Sequence, residues 1–134
     1  MNENAAAAHN IGVEADPAPL DDPLTIKSGE ILNMFVNNQY NELYNTLSES
    51  LKATNKPETL DGALAKTEEV LGKYQSSERW EIRNFRGNKG YTALINFEKG
   101  KAGILIIYDE DNTVKAMTFL PDHIIKNMPA YKEK

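Results

Sequence analysis

The chain has 134 residues, 40% apolar and 26% charged, with a formal net charge of -5 and an isoelectric point near 5.1. That length suits one domain around one core, and an acidic balance without clustered Lys and Arg argues against a nucleic-acid partner. The absence of cysteine excludes disulfides, thiolate chemistry and cysteine metal sites; no window reaches the ~20 apolar residues of a transmembrane segment.

Residues 1–23, MNENAAAAHNIGVEADPAPLDDP, are rich in Ala, Pro and acids and read as a disordered tail or tether. Met1 to Ala8 has neither the basic start nor the apolar core of a signal peptide. A domain is expected over 24–122, with a C-terminal tail over 123–134. Helical spacing begins near Thr25, where Ile31, Met34 and Phe35 share a face, and Asn37-Asn38 interrupts it. A second helix carries the stripe Tyr40, Leu43, Tyr44, Leu47 and Leu51. A third follows Asn55-Lys56-Pro57-Glu58, where Asn55 is placed to cap, Glu58 to complete a capping box and Pro57 to open the first turn. Its apolar face is Leu60, Ala63, Leu64, Thr67, Leu71 and Tyr74, and Gly72 stands where a helix-ending glycine belongs.

From Ser76 the period changes to two. Trp80, Ile82 and Asn84 alternate with Glu81, Arg83 and Phe85, and Gly87 to Gly90 forms a turn. Ala93, Ile95 and Phe97 mark a second strand, and Lys99-Gly100 a tight hairpin. The stretch Lys101 to Asp109 holds the unbroken run Ile104 to Tyr108, which is β-branched, short, and of the kind covered on both faces as a central strand. Asp109 to Asn112 turns the chain, with Asn112 able to take a left-handed conformation. A fourth strand runs from Val114 to Leu120, and Pro121 ends it. Three helices before four hairpin-linked strands predict an α+β fold, with the helices packed on one face of an antiparallel meander. No strand precedes the helices, so a Rossmann or flavodoxin-like reading fails.

The pattern ILNMFVNNQYNELYNTLSESLKA, then a helix ending in VLGKY, then strands ending in AMTFLP, resembles the nuclear transport factor 2-like superfamily. Within it the likeness is to a small bacterial domain of unknown function found in exported or lipid-anchored proteins and beside α/β-hydrolase domains. The features that match, over about Ser28 to Pro121, are the Gln39 to Tyr44 start of helix two, the Leu71-Gly72-Lys73-Tyr74 helix end and the meander. The resemblance implies a curved sheet wrapping helices into a cystatin-like cone with a pocket at its wide end. It implies an exported or cell-envelope setting too, which a tether-like N-terminus would suit.

Enzymes of that superfamily often place an Asp–His pair or a lone carboxylate inside the cone. Here His9 lies in the tail and His123 just beyond the fourth strand, and neither promises the hydrogen-bond reach an acid–base pair needs. Glu42 is a pocket carboxylate or an ordinary first-turn acid on the helix dipole. Glu68-Glu69 is an acid pair of the same kind. Asp109-Glu110-Asp111 invites a calcium reading but lacks an EF-hand's spacing and glycine, and no metal site is expected. Tyr40, Tyr44, Trp80, Tyr91 and Tyr108 each carry ring area and a polar handle, and such residues gather at a pocket mouth, an interface or simply a core. With Glu42 they are the pocket candidates.

If Ile104, Ile106 and Tyr108 face the helices, Leu105 and Ile107 point away. Leu94, Met117 and Phe119 are the further candidates for that outer face, making a row that a second copy or the tail with Ile124, Ile125 and Met128 must cover. A homodimer through this face is expected, and such dimers are common in the superfamily resembled. Two function classes remain. One is a non-catalytic binding or accessory module for a small apolar ligand or a partner protein, without a cofactor. The other is a small cofactor-independent enzyme of the isomerase or dehydratase kind using a pocket carboxylate.

Overall fold

Pro23 opens the first helix because its missing N–H is one that a helix start leaves unpaired, and Asp22 Oδ1 accepts from Leu24 N at 2.9 Å to cap it. The computed structural model describes residues 13–132. Helix α1 spans Pro23–Val36, α2 Tyr40–Asn45, α3 Glu49–Thr54 and α4 Pro57–Leu71. Strands β1 (Tyr74–Phe85), β2 (Asn88–Phe97), β3 (Gly100–Tyr108) and β4 (Val114–Pro121) follow, and α5 (Asp122–Lys126) closes the order. The strands form one antiparallel sheet in the order β1-β2-β3-β4, an α+β meander that does not close on itself. The apolar run Ile104 to Ile107 is buried on both faces within an inner strand.

Two helix boundaries differ from the sequence pattern. The stripe Tyr40 to Leu51 is broken into two short helices, because Thr46 Oγ1 turns back to Leu43 O at 2.6 Å and Ser48 caps a new helix by accepting from Leu51 N. Between them Leu47 pairs with Val114, whose N–H and C=O bond Thr46 O and Ser48 N at 2.8 Å each. Asn55 does not cap α4. Its amide donates to Leu51 O at 3.1 Å, closing α3 instead, and Lys56 stands at the N-cap without a side-chain bond.

Directly opposed residues share a face of a sheet. Ile104 lies between Ala93 and Phe119, and Ile106 between Tyr91 and Met117, on the face that carries α1 and α4. The core there joins Ile31, Phe35, Leu43, Leu47 and Leu64 to Ile95, Ile104, Ile106 and Val114. Met117 and Phe119 therefore belong to the helix side, not to the outer face expected for them. The cause is an irregularity between the Ile107–Ala116 and Tyr108–Val114 pairs, which shifts the parity of β4 so that Val114, Met117 and Phe119 all turn inward. Phe119 meets Phe35 edge-on, with ring centroids 5.0 Å apart. Leu71, from the apolar face of its helix, and Trp80 are only partly buried beside this core.

The outer face holds a second, smaller cluster of Leu105, Ile107, Ile125 and Met128, with Leu94, Phe85, Ala116 and Leu120 around it. Leu105 and Ile107 retain 2% and 5% exposure because the C-terminal segment lies over them. Gly103 makes this possible. A Cβ there would stand 2.4 Å from Ile125 Cγ1, so only a bare backbone lets Ile125 seat on the sheet. Thus residues 122–131 are no free tail.

Residues 13–22 are no free tail either, and the expected boundary at 24 is corrected. Ala18 N donates to Trp80 O at 2.8 Å and Ile82 N to Asp16 O at 3.2 Å, while Asn84 N donates to Pro129 O at 2.7 Å. Both terminal segments thus pair along the outer edge of β1. Arg83 binds them together. Its buried guanidinium donates to Val13 O (2.9 Å), Lys126 O (3.2 Å) and Met128 O (2.7 Å), and to Glu81 at 2.8 Å. Residues 1–12 lie outside the described residues, as does the His9 reading.

Candidate functional site

The pocket candidates do not converge. Tyr91 is fully buried and donates to Asp22 Oδ2 at 2.5 Å, so the carboxylate that caps α1 also ties that helix to β2. Tyr108 stands edge-on to Tyr91, with centroids 5.5 Å apart, and its hydroxyl meets Ser28 Oγ at 2.8 Å. Ser28 Oγ in turn donates to Leu24 O. Burial raises the Tyr108 phenol to about 12, an effect that the Ser28 bond opposes and the charges of Asp22 and Glu30 reinforce. These two tyrosines hold α1 to the sheet. Trp80 packs on the margin of the main core near Gly29.

Tyr40 and Tyr44 sit elsewhere. Tyr40 borders a hollow of about 360 Å³ with Phe35, Leu64 and Tyr74, and Lys52 lies 5.5 Å above the Tyr44 ring. Glu42 and His123 are exposed on separate elements. In the acidic turn, Asp111 Oδ1 accepts from both N and Oγ1 of Thr113, which lowers its pKa, so this carboxylate is engaged in shaping the turn. Among the described residues no group of acids or histidines is arranged to hold a metal ion.

A different place offers space. A groove of about 390 Å³ opens between the C-terminal half of α4 and the far edge of the sheet. Thr67, Val70 and Leu71 form its helix wall, and Ala102, Phe119 and Pro121 its floor. Such a volume lies within the range of small-molecule sites, roughly 300–1,000 Å³. Val70 is 73% exposed, an unusual state for a large apolar side chain on a packed helix. Lys66, Lys101 and Asp122 stand around the opening. Lys101 is held by Glu78 at 2.6 Å and Asp122 by Lys126 at 3.6 Å. Lys66 has no ion-pair partner among the described residues.

The groove exists because α4 ends where it does. Gly72, at φ +82°, stops the helix, and a Cβ there would stand 2.8 Å from Glu98 Cβ, too close for a side chain. Leu71 is thereby left at a helix end beside Gly100 rather than under another turn. Thr67 and Leu71 belong to the apolar stripe expected of this helix, whereas Val70 and Lys66 lie outside it. Val70 lies three residues beyond Thr67, and that spacing was the available signal.

Residues 28–117 match the family described as a protein of unknown function, DUF3887. The chain belongs to the DUF3887 family. The match runs from the middle of α1 into β4, so it spans the helix–sheet core and includes Arg83. Phe119, α5 and the segment at 13–22 lie beyond it. No curated protein and no solved structure matches the chain.

Proposed function

We propose that this DUF3887 domain is a non-catalytic binding module that holds a small apolar ligand in the groove between α4 and β4. The observation that carries the reading is the apolar lining of an open space: Val70 and Pro121 are exposed there, and Leu71 and Phe119 are half-buried with one side on the core. Contiguous apolar surface left open on a folded domain commonly marks a binding site. The order of helices before a meander supports the likeness to the nuclear transport factor 2-like superfamily, and on that reading the groove corresponds to the mouth of a cystatin-like cone. The enzymatic alternative draws less support. Asp122, the carboxylate among the lining residues, is ion-paired with Lys126, and Glu42 lies on another element.

Titration with Nile red tests the proposal. The dye should bind one saturable site with a blue-shifted emission, and Val70→Asp should abolish that site while leaving the thermal unfolding midpoint unchanged. Equal dye binding by both proteins would place the site elsewhere and sink the reading.

A further inference from the structure

The groove's chemistry narrows what could fill it. Its floor is apolar and the hydroxyl on its helix wall, Thr67 Oγ1, turns back to Ala63 O at 3.5 Å, so the lining offers a ligand little side chain to hydrogen-bond below the charged rim. One occupant to consider is an extended peptide adding to the free edge of β4. That edge is blunted. Pro121 has no N–H to offer at the groove, Lys115 is exposed on the same strand, and Leu47 already occupies the strand's beginning. An occupant that needs no backbone pairing fits better.

Charge supplies the second constraint. The protein carries a net charge of -5, yet two of the three charged residues at this opening are lysines. The single acid, Asp122, is countered by Lys126, and Lys101 is countered by Glu78. Lys66 remains as an uncompensated cation one turn of α4 before Val70. A cation at the rim of an apolar trough is complementary to a molecule with one anionic end and a hydrocarbon remainder.

Resting on the binding-module reading above, we infer that the groove takes a free single-chain aliphatic carboxylate, its chain along Val70, Leu71 and Phe119 and its head at Lys66. Each methylene buried in the groove then strengthens binding by about two- to fourfold, and the carboxylate adds about two- to fivefold over a neutral head, the range of an exposed ion pair.

Calorimetric titration of the full chain with octanoate, decanoate and decanol, below their aggregation thresholds, tests this. Decanoate should bind one site, more tightly than octanoate by about 4- to 16-fold for its two extra methylenes and more tightly than decanol. Lys66→Gln should erase the preference for the acid while leaving decanol binding unchanged, and Val70→Asp should remove both ligands. Both residues are exposed, so neither change removes a core contact. Equal binding of decanoate and decanol by the wild type, or an acid preference that survives Lys66→Gln, overturns the inference and leaves the apolar-ligand reading standing. Failure of both decanoate and decanol to bind overturns that reading and the inference with it.

Discussion

The two faces of the sheet are covered by different means. On the inner face, α1 and α4 lay down stripes whose spacing is written into the sequence, and fourteen buried residues form one cluster. On the outer face, a five-residue helix and the turn after it set Ile125 and Met128 on Leu105 and Ile107, a cluster of only four buried residues. The inner cover is held by area. The outer cover has too little apolar surface to hold itself, so it relies on Gly103 to let Ile125 approach and on Arg83 to bind three backbone carbonyls. A buried charge that meets peptide oxygens from both ends of the chain couples the two segments, since their carbonyls share the one Nη1.

The largest effect should come from the inner face. Ile106→Ala, at a fully buried position between Tyr91 and Met117, should cost about 2–5 kcal/mol in urea unfolding, in keeping with large-to-small core changes. A loss below that of Ile125→Ala would reverse the ranking of the two faces.

A smaller loss, with a different signature, is expected at the outer clamp. Arg83→Met keeps the stem and removes the donors to Val13, Lys126 and Met128, which should cost about 2–4 kcal/mol as charged hydrogen bonds are lost. Hydrogen exchange should then quicken at the amides of Val13 and Asn84, which the two segments hold, while the core of β3 stays protected. Light scattering of the same variant should show a mass above 15.0 kDa that grows with concentration, as the bared row of Leu105 and Ile107 recruits a second copy. A strictly monomeric variant with quickened exchange would remove the case for a sheet-face dimer.

The smallest effect is one of pH. Tyr108 in the fold loses its proton near 12, against 10.0 for an ordinary phenol, chiefly because burial disfavours the phenolate. Between those values the unfolded chain releases a proton that the folded chain keeps, so the unfolded state is favoured as pH rises. The contribution from Tyr108 is complete below pH 10.0 and is lost as pH climbs through about 12. Phenolate absorbance should show a late-titrating tyrosine that Tyr108→Phe removes, and the variant should lose less stability over that window. A wild type whose tyrosines all titrate near 10 would contradict the burial that joins α1 to β3.

Leu43, Leu64, Ile95 and Ile104, the hairpin at Lys99-Gly100 and the turn at Asn112 follow from local pattern, because helix and strand periods are properties of neighbouring residues. The break in the second helix is less visible. Thr46 and Ser48 are known competitors of helix, but Leu47 continues the stripe, and only its pairing with Val114 settles which conformation prevails. Two of the pocket candidates, Tyr91 and Tyr108, are engaged within the fold, for a related reason. An aromatic ring with a hydroxyl signals that a partner exists, not whether that partner is a ligand, and for Tyr91 and Tyr108 the partners are Asp22 and Ser28 of the chain itself.

The sequence by itself determined the helices-then-meander order, the two-sided burial of Ile104 to Ile107 and the outward turn of Leu94, Leu105 and Ile107, which something had to cover. Tertiary structure alone decided what covers it and where the open groove lies. The parity of β4 turns on one irregular pair, which sends Met117 and Phe119 inward. The outer cover turns on a guanidinium meeting carbonyls 43, 45 and 70 residues away in sequence. Backbone carbonyls are alike at every position, so no residue pattern announces which of them a buried arginine will meet until the chain has folded.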